Sequence, residues 1–119
     1  MTEPIFHCSL RSDWHAAQAA GEYTISSRGV TLEHEGFIHA CYAHQVDGVL
    51  RRFYAGVTEP MVLLVIDQDR LGVPVVAESP PGVDELFPHI YGPLDPAAVT
   101  RIAPLVRGED GWIAPTPGA

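Results

Sequence analysis

Apolar and polar positions recur along this chain with two periods, and the switches between them mark its elements. Ile5-Phe6-His7-Cys8 begins directly after Pro4 and predicts a first strand, with His7 and Cys8 facing opposite ways. Ser12 and Asp13 ahead of Trp14, Ala17 and Ala20, with Gly21 as the stop, predict a short helix whose apolar side is mostly small. Residues 22–34 carry no clear period and predict a loop or brief strand covering a site. Residues 36–41 resume a strand pattern in which Phe37, His39 and Cys41 share a face. Val46, Val49, Leu50, Phe53 and Tyr54 then recur at offsets of three and four, the stripe of an amphipathic helix ended by Gly56.

Met61–Ile66 is apolar at every position and predicts a central strand buried on both faces. After the DQDRLG turn, residues 73–78 predict another strand and Ser79-Pro80-Pro81-Gly82 an exposed loop. Residues 87–93 hold two prolines, which predicts an edge strand or a rigid extended segment instead of an interior one. Asp95 and Pro96 predict one helical turn before a strand through Ile102, Leu105 and Val106, and the last residues, with Pro115, Pro117 and Gly118, are expected to be loose. No repeat and no interdomain linker occurs, so the chain reads as a single domain over 1–119, with a core over 5–106 and a C-terminal tail over 107–119. This order of elements predicts an α+β fold of mainly antiparallel strands with two principal helices.

Composition narrows the partners. With 46% hydrophobic and 18% charged residues, the 119-residue chain has the balance of a globular domain. Seven basic against fifteen acidic residues give a net charge of -8, which repels polyanions and argues against duplex nucleic acid as a partner. A free nucleotide, or one nucleic-acid end held in a local pocket, remains compatible with that charge. The first residues, MTEPIFHCSL, lack a basic lead and a long apolar run, and nothing approaches the ~20 apolar residues that span a bilayer. With Cys8 and Cys41 as the only cysteines, reduced thiols and a cytoplasmic location are expected, without membrane association.

Of six histidines, His7, His39 and His89 lie in strand-like segments beside bulky apolar residues, and the expectation is that they converge on a polar pocket as hydrogen-bonding groups or a general base. His15, His34 and His44 lie on polar stretches and are assigned no role. Glu78 and Glu85 flank the Pro-Gly loop as carboxylate partners for a histidine, and Arg11 and Arg28 are candidate phosphate contacts. His39 and Cys41, with His7, form a candidate zinc set, but no CxxC or HExxH occurs and no metal is expected. GxGxxG, GxxxxGK[ST] and GxSxG are all absent, so a bound nucleotide needs another cradle.

The segments FHCSLRSDW, EGFIHACYAHQV and ELFPHIYGPL, placed in that order around MVLLVID and DRLG, resemble a bacterial family known as domain of unknown function nine-five-two, over residues 5–105. The resemblance implies a fold similar to the ADP-ribosyltransferase superfamily, in which strands form a cleft for NAD. It matches His7, His39 and His89 to the first, second and third motifs of that superfamily and implies catalytic roles for them, with Ser9, Glu78 and Tyr91 as ligand contacts. The chain departs from the common pattern at Ala40 and Cys41, where a serine-rich motif is usual, and at His89, where a catalytic glutamate is usual. Histidine there implies acid–base work in place of charge stabilisation. The expected function is an NAD- or nucleotide-dependent transferase, with a non-catalytic small-molecule binder or a metal-dependent hydrolase as alternatives.

Overall fold

Residues 3–109 and 111–114 are described in the computed structural model. Strand β1 (Ile5–Leu10) runs straight into helix α1 (Arg11–Ala20), so the helix starts before the expected Ser12 and Asp13 cap. Leu10 holds the cap position, and Asp13 lies in the first turn, where the helix dipole favours a negative charge. Gly21 ends the helix in the left-handed region, at φ 84°, which costs a residue without a Cβ little.

The aperiodic stretch that follows folds into a small hairpin, β2 (Ile25–Ser27) and β3 (Val30–Thr31), and one turn of helix, α2 (Leu32–Glu35). Then come β4 (Ile38–His39), a 3-10 turn over Ala43–Gln45 and helix α3 (Val46–Phe53). Val46 and Leu50 of the α3 stripe are buried as the spacing requires, whereas Phe53 stands 68% exposed. Strands β5 (Met61–Ile66), β6 (Val75–Glu78), β7 (Phe87–Ile90), β8 (Val99–Pro104), β9 (Val106–Gly108) and β10 (Gly111–Ile113) complete the order.

The protein is a small α+β fold in which every pairing between these strands is antiparallel. One three-stranded sheet has the order β1-β5-β8, with β5 buried along its whole length, as its uninterrupted apolar run requires. A second has the order β4-β7-β6. The sheets join where Phe6 and Cys41 exchange two backbone hydrogen bonds of 2.8 Å. Alternate side chains along β1 and β5 therefore enter different cores: Ile5, Leu64 and Ile66 pack with Trp14, Tyr23, Ile38 and Ile90, while Phe6, Cys8 and Leu63 pack with Cys41, Val46, Leu50 and Phe87.

Strand β7 corrects the sequence reading. It is the middle strand of its sheet and is buried at all four positions, although it contains Pro88. The Pro88 carbonyl accepts the Ala40 N–H at 3.2 Å, so the missing N–H would also have pointed to the β4 side. Pairing ends there, because the next residue, Cys41, turns to β1. The ladder loses one donor at its frayed end only, which makes an interior proline tolerable.

The expected tail begins with a hairpin. Trp112 of β10 donates its Nε1–H to the Tyr54 carbonyl at 3.0 Å, and Arg107 of β9 reaches the Val57 carbonyl at 2.6 Å. Pro115, Pro117 and Gly118 lie outside the described residues. Among the described residues no helix is long and apolar enough to cross a membrane.

Candidate functional site

His7 sits on β1, on the face opposite Phe6 and Cys8, and is 2% exposed. Its Nδ1 meets the His39 carbonyl at 2.5 Å, and since a carbonyl only accepts, Nδ1 carries the proton. Its Nε2 meets the Tyr23 hydroxyl at 2.8 Å; that hydroxyl lies 2.9 Å from Ser9 Oγ, which in turn bonds the Leu10 carbonyl at 2.8 Å. Three contacts need three hydrogens, and Tyr23 and Ser9 supply two. The third arrives only if His7 becomes an imidazolium, which burial opposes by lowering its pKa to about 4. At neutral pH the Tyr23 proton is thus shared between two acceptors. Tyr23→Phe removes it from both and is expected to cost about 2 kcal/mol, read from urea unfolding, because His7 and Ser9 are left short of partners inside the core. A loss under about 0.5 kcal/mol would show that the chain of contacts carries no stability.

His39 and His89 face each other across β4 and β7. Because Pro88 and Ala40 form the hydrogen-bonded pair, His39 and His89 form the close, non-bonded kind, with ring centroids 5.4 Å apart. Phe37 packs its ring against His39 at 4.8 Å, while Cys41, bridged to Phe6, packs with Phe87 in the second core. The Phe37 ring stacks on His89 with centroids 4.0 Å apart and lies 5.5 Å from Tyr91. His89 is 3% exposed, with Nδ1 2.8 Å from Glu78 Oε1, and the Tyr91 hydroxyl donates to that same oxygen. These hydrogen bonds, Tyr91 first and His89 second, hold the Glu78 carboxyl below its usual range. His89 Nε2 is buried without a hydrogen-bond partner among the described residues.

His39 is more open. Its side chain is 41% exposed and its Nε2 lies 3.3 Å from Glu35 Oε1, one helical turn earlier in sequence. Burial lowers its pKa despite the opposing pull of Glu35, which leaves a neutral imidazole at pH 7.

A cleft of about 510 Å³ opens beside this face. Its floor is Phe6, Cys8, Cys41 and Phe87, α3 contributes Val49, Arg52 and Phe53, Arg28 comes from the β2–β3 turn, and Pro80 and Val83 come from the Pro-Gly loop. Gln45 fixes that loop by donating to the Leu86 carbonyl at 2.8 Å and to Glu85 at 3.0 Å. The wall includes both His7 and His39. It contains two arginines and no carboxylate, in a protein of net charge -8.

The three expected histidines are thus brought together unequally. His39 borders the cleft and contacts the His89 ring, and its carbonyl binds His7, but both nitrogens of His7 are engaged within the protein and His89 is not part of the cleft wall. Ser9 is buried on the Tyr23 hydroxyl and is not part of the cleft wall, while Glu78 and Tyr91 group with His89. Cys41 shares the cleft wall with His39; burial pushes its thiol up and that of Cys8 up to about 12, so neither is a nucleophile near neutral pH. No group of three or more His, Cys, Asp or Glu among the described residues is placed to hold a metal ion. Of the two arginines singled out, Arg28 reaches the cleft and Arg11 does not. Sequence reasoning missed Tyr23, Phe37 as the cover of His89, and Arg52. For Arg52 a signal existed, since it lies three positions after Val49 on the flank of the α3 stripe.

A family model described as "Protein of unknown function (DUF952)" matches residues 8–102. Among solved structures, a crystal structure of protein CC0527 from Caulobacter crescentus is similar with a TM-score of 0.78 at 31% identity, covering 92% of this chain and 91% of that one. The crystal structure of a double mutant of CC0527 gives 0.77 at 30% identity, with the same 92% and 91% coverage. Its solution structure gives 0.74 at 31% identity, covering 92% of this chain and 90% of that one. No curated protein matches the chain.

Proposed function

Because the chain belongs to the DUF952 family, whose description names no activity, we propose a function from the cleft itself: it binds an NAD-like or related nucleotide, and His39 acts there as the acid–base group of an ADP-ribosyltransferase-like transfer. The observation that supports this reading is the position of His39, an imidazole in the cleft wall that is neutral at pH 7, partly open to solvent and oriented by a carboxylate 3.3 Å away. The two arginines and the apolar floor suit the phosphates and flat rings of a nucleotide. NAD, when bound, supplies an ADP-ribosyl group with nicotinamide as its leaving group. His39 would accept the proton of the attacking group, and Glu35 would steady the imidazolium so formed. His7, held by Tyr23 and by the His39 carbonyl, fixes the backbone from which His39 projects.

One observation favours binding without turnover instead: the wall has no carboxylate to stabilise positive charge developing on a ribose. A thermal-shift titration with NAD, ADP-ribose and AMP, paired with an assay of nicotinamide release, separates the two. A ligand at a hundredfold its Kd is expected to add about 2.7 kcal/mol of stability. His39→Gln is expected to slow release roughly a hundredfold or more while affinity changes by less than about tenfold. Stabilisation without release assigns a binding protein, and no stabilisation by any of the three ligands sinks the nucleotide reading.

A further inference from the structure

We infer that the cleft selects an anion, a phosphate monoester or carboxylate carried on a flat apolar body, with Arg52 and Arg28 as the residues that read its charge. This rests on the reading of the cleft as a ligand site and names the chemistry of its ligand independently of any nucleotide. All seven basic residues of the chain are arginines, and fifteen acidic residues outnumber them. Two of those arginines line one cavity whose wall contains no acidic residue. They arrive from different elements. Arg52 belongs to the last turn of α3, and Arg28 to the β2–β3 turn, whose backbone is hydrogen-bonded to Tyr54 just beyond that helix.

Other arginines have internal work. Arg70 pairs with Asp67 at 3.4 Å, and Arg107 binds a backbone carbonyl and lies over the Trp112 ring. Arg52 forms no ion pair with any described residue, and the Arg28 partner Glu59, at 2.9 Å, is itself half exposed and outside the cleft wall. Two guanidinium groups on a cavity wall without a carboxylate offer paired N–H donors to an anion bound there. Beside Arg52 stands Phe53, 68% exposed at the rim, and the floor behind it is Phe6, Cys41 and Phe87. A ligand whose apolar part covers Phe53 and whose anionic head meets Arg52 satisfies both features at once, in a volume of about 510 Å³ that suits a small molecule.

The test is a titration of the whole chain with phenyl phosphate, benzoate, phenol and benzylamine, followed by backbone NMR, for wild type, Arg52→Gln, Arg28→Gln and the control Arg51→Gln. Arg51 occupies the same helical turn and does not line the cleft, so it matches Arg52 in charge and helix position. Phenyl phosphate or benzoate is expected to bind, phenol and benzylamine to bind at least tenfold more weakly, and the comparison of the two anions decides between phosphate and carboxylate. Arg52→Gln is expected to weaken the anion roughly ten- to hundredfold, the loss of one charge-assisted contact, with Arg28→Gln weaker in effect because Glu59 already holds that side chain. Arg51→Gln should stay within twofold of wild type. Equal binding of phenol or benzylamine, anion affinity unchanged in Arg52→Gln, or no binding of either anion overturns the inference. Arg52-dependent binding of phenyl phosphate with no response to NAD upholds it and defeats the nucleotide reading; NAD turnover indifferent to Arg52 does the reverse.

Discussion

Lowering the pH from 6.5 towards 4 is expected to remove about 3 kcal/mol of folding stability through His7. The imidazole titrates at its ordinary 6.5 in the unfolded chain and at about 4 in the folded protein, because burial opposes its charge. Between those values the unfolded chain binds the proton and the folded one does not, so acid favours unfolding. The stability associated with neutral His7 is complete above about pH 6.5, declines through the window, and is gone below about pH 4. His39 acts in the same direction and more weakly, being 41% exposed. Glu78, whose pKa is lowered, adds its loss only beneath the ordinary carboxylate range. Urea unfolding at pH 7, 6, 5 and 4.5 measures the slope. His7→Gln should flatten it whatever the variant's stability at pH 7, and a slope that survives this substitution would place the acid sensitivity elsewhere.

Leu64→Ala should lower stability by about 3 kcal/mol, within the 2–5 kcal/mol seen for large-to-small changes in cores that cannot collapse. Leu64 is fully buried on the middle strand of its sheet, between His7 of β1 and Ile102 of β8. The strands on either side hold the backbone in place, so the space left by the side chain stays open. Ile102, its cross-strand neighbour on the sheet edge, is 42% exposed, and Ile102→Ala should cost about 1 kcal/mol by the same transfer argument. Equal losses at the two positions would mean that β5 is not the strand on which the sheet depends.

The correspondence between sequence and site follows the range of each interaction. Phe37, His39 and Cys41 are two residues apart, a spacing that puts alternate side chains on one face of a strand, and His39 does contact the Phe37 ring and border the cleft with Cys41, although the strand itself spans only Ile38–His39. Met61–Ile66 has no polar position and therefore had to be interior. Phe53 fits the α3 stripe by spacing, yet the helix ends there and its ring is left 68% exposed. The two prolines around His89 argued for an edge, a rule that concerns donors lost inside a ladder; here the lost donor falls where β4 leaves the sheet. Tyr23 lies in a stretch without any period, so no local signal pointed to its hydroxyl as the partner of a histidine sixteen positions earlier.

By itself, then, the sequence determined the strongly periodic elements β1, α1, α3 and β5 and the acidic net charge, whereas the β2–β3 hairpin, α2 and the C-terminal hairpin lie in stretches without a period. Tertiary structure alone decided that His39 meets His89, that His7 is occupied by Tyr23 and the His39 carbonyl, and that Arg28 and Arg52 border one cavity. The reason is physical. Periodicity records the side on which a residue is buried, a property of the local backbone, whereas cross-strand register and the meeting of separate elements are set by packing between segments distant in the chain.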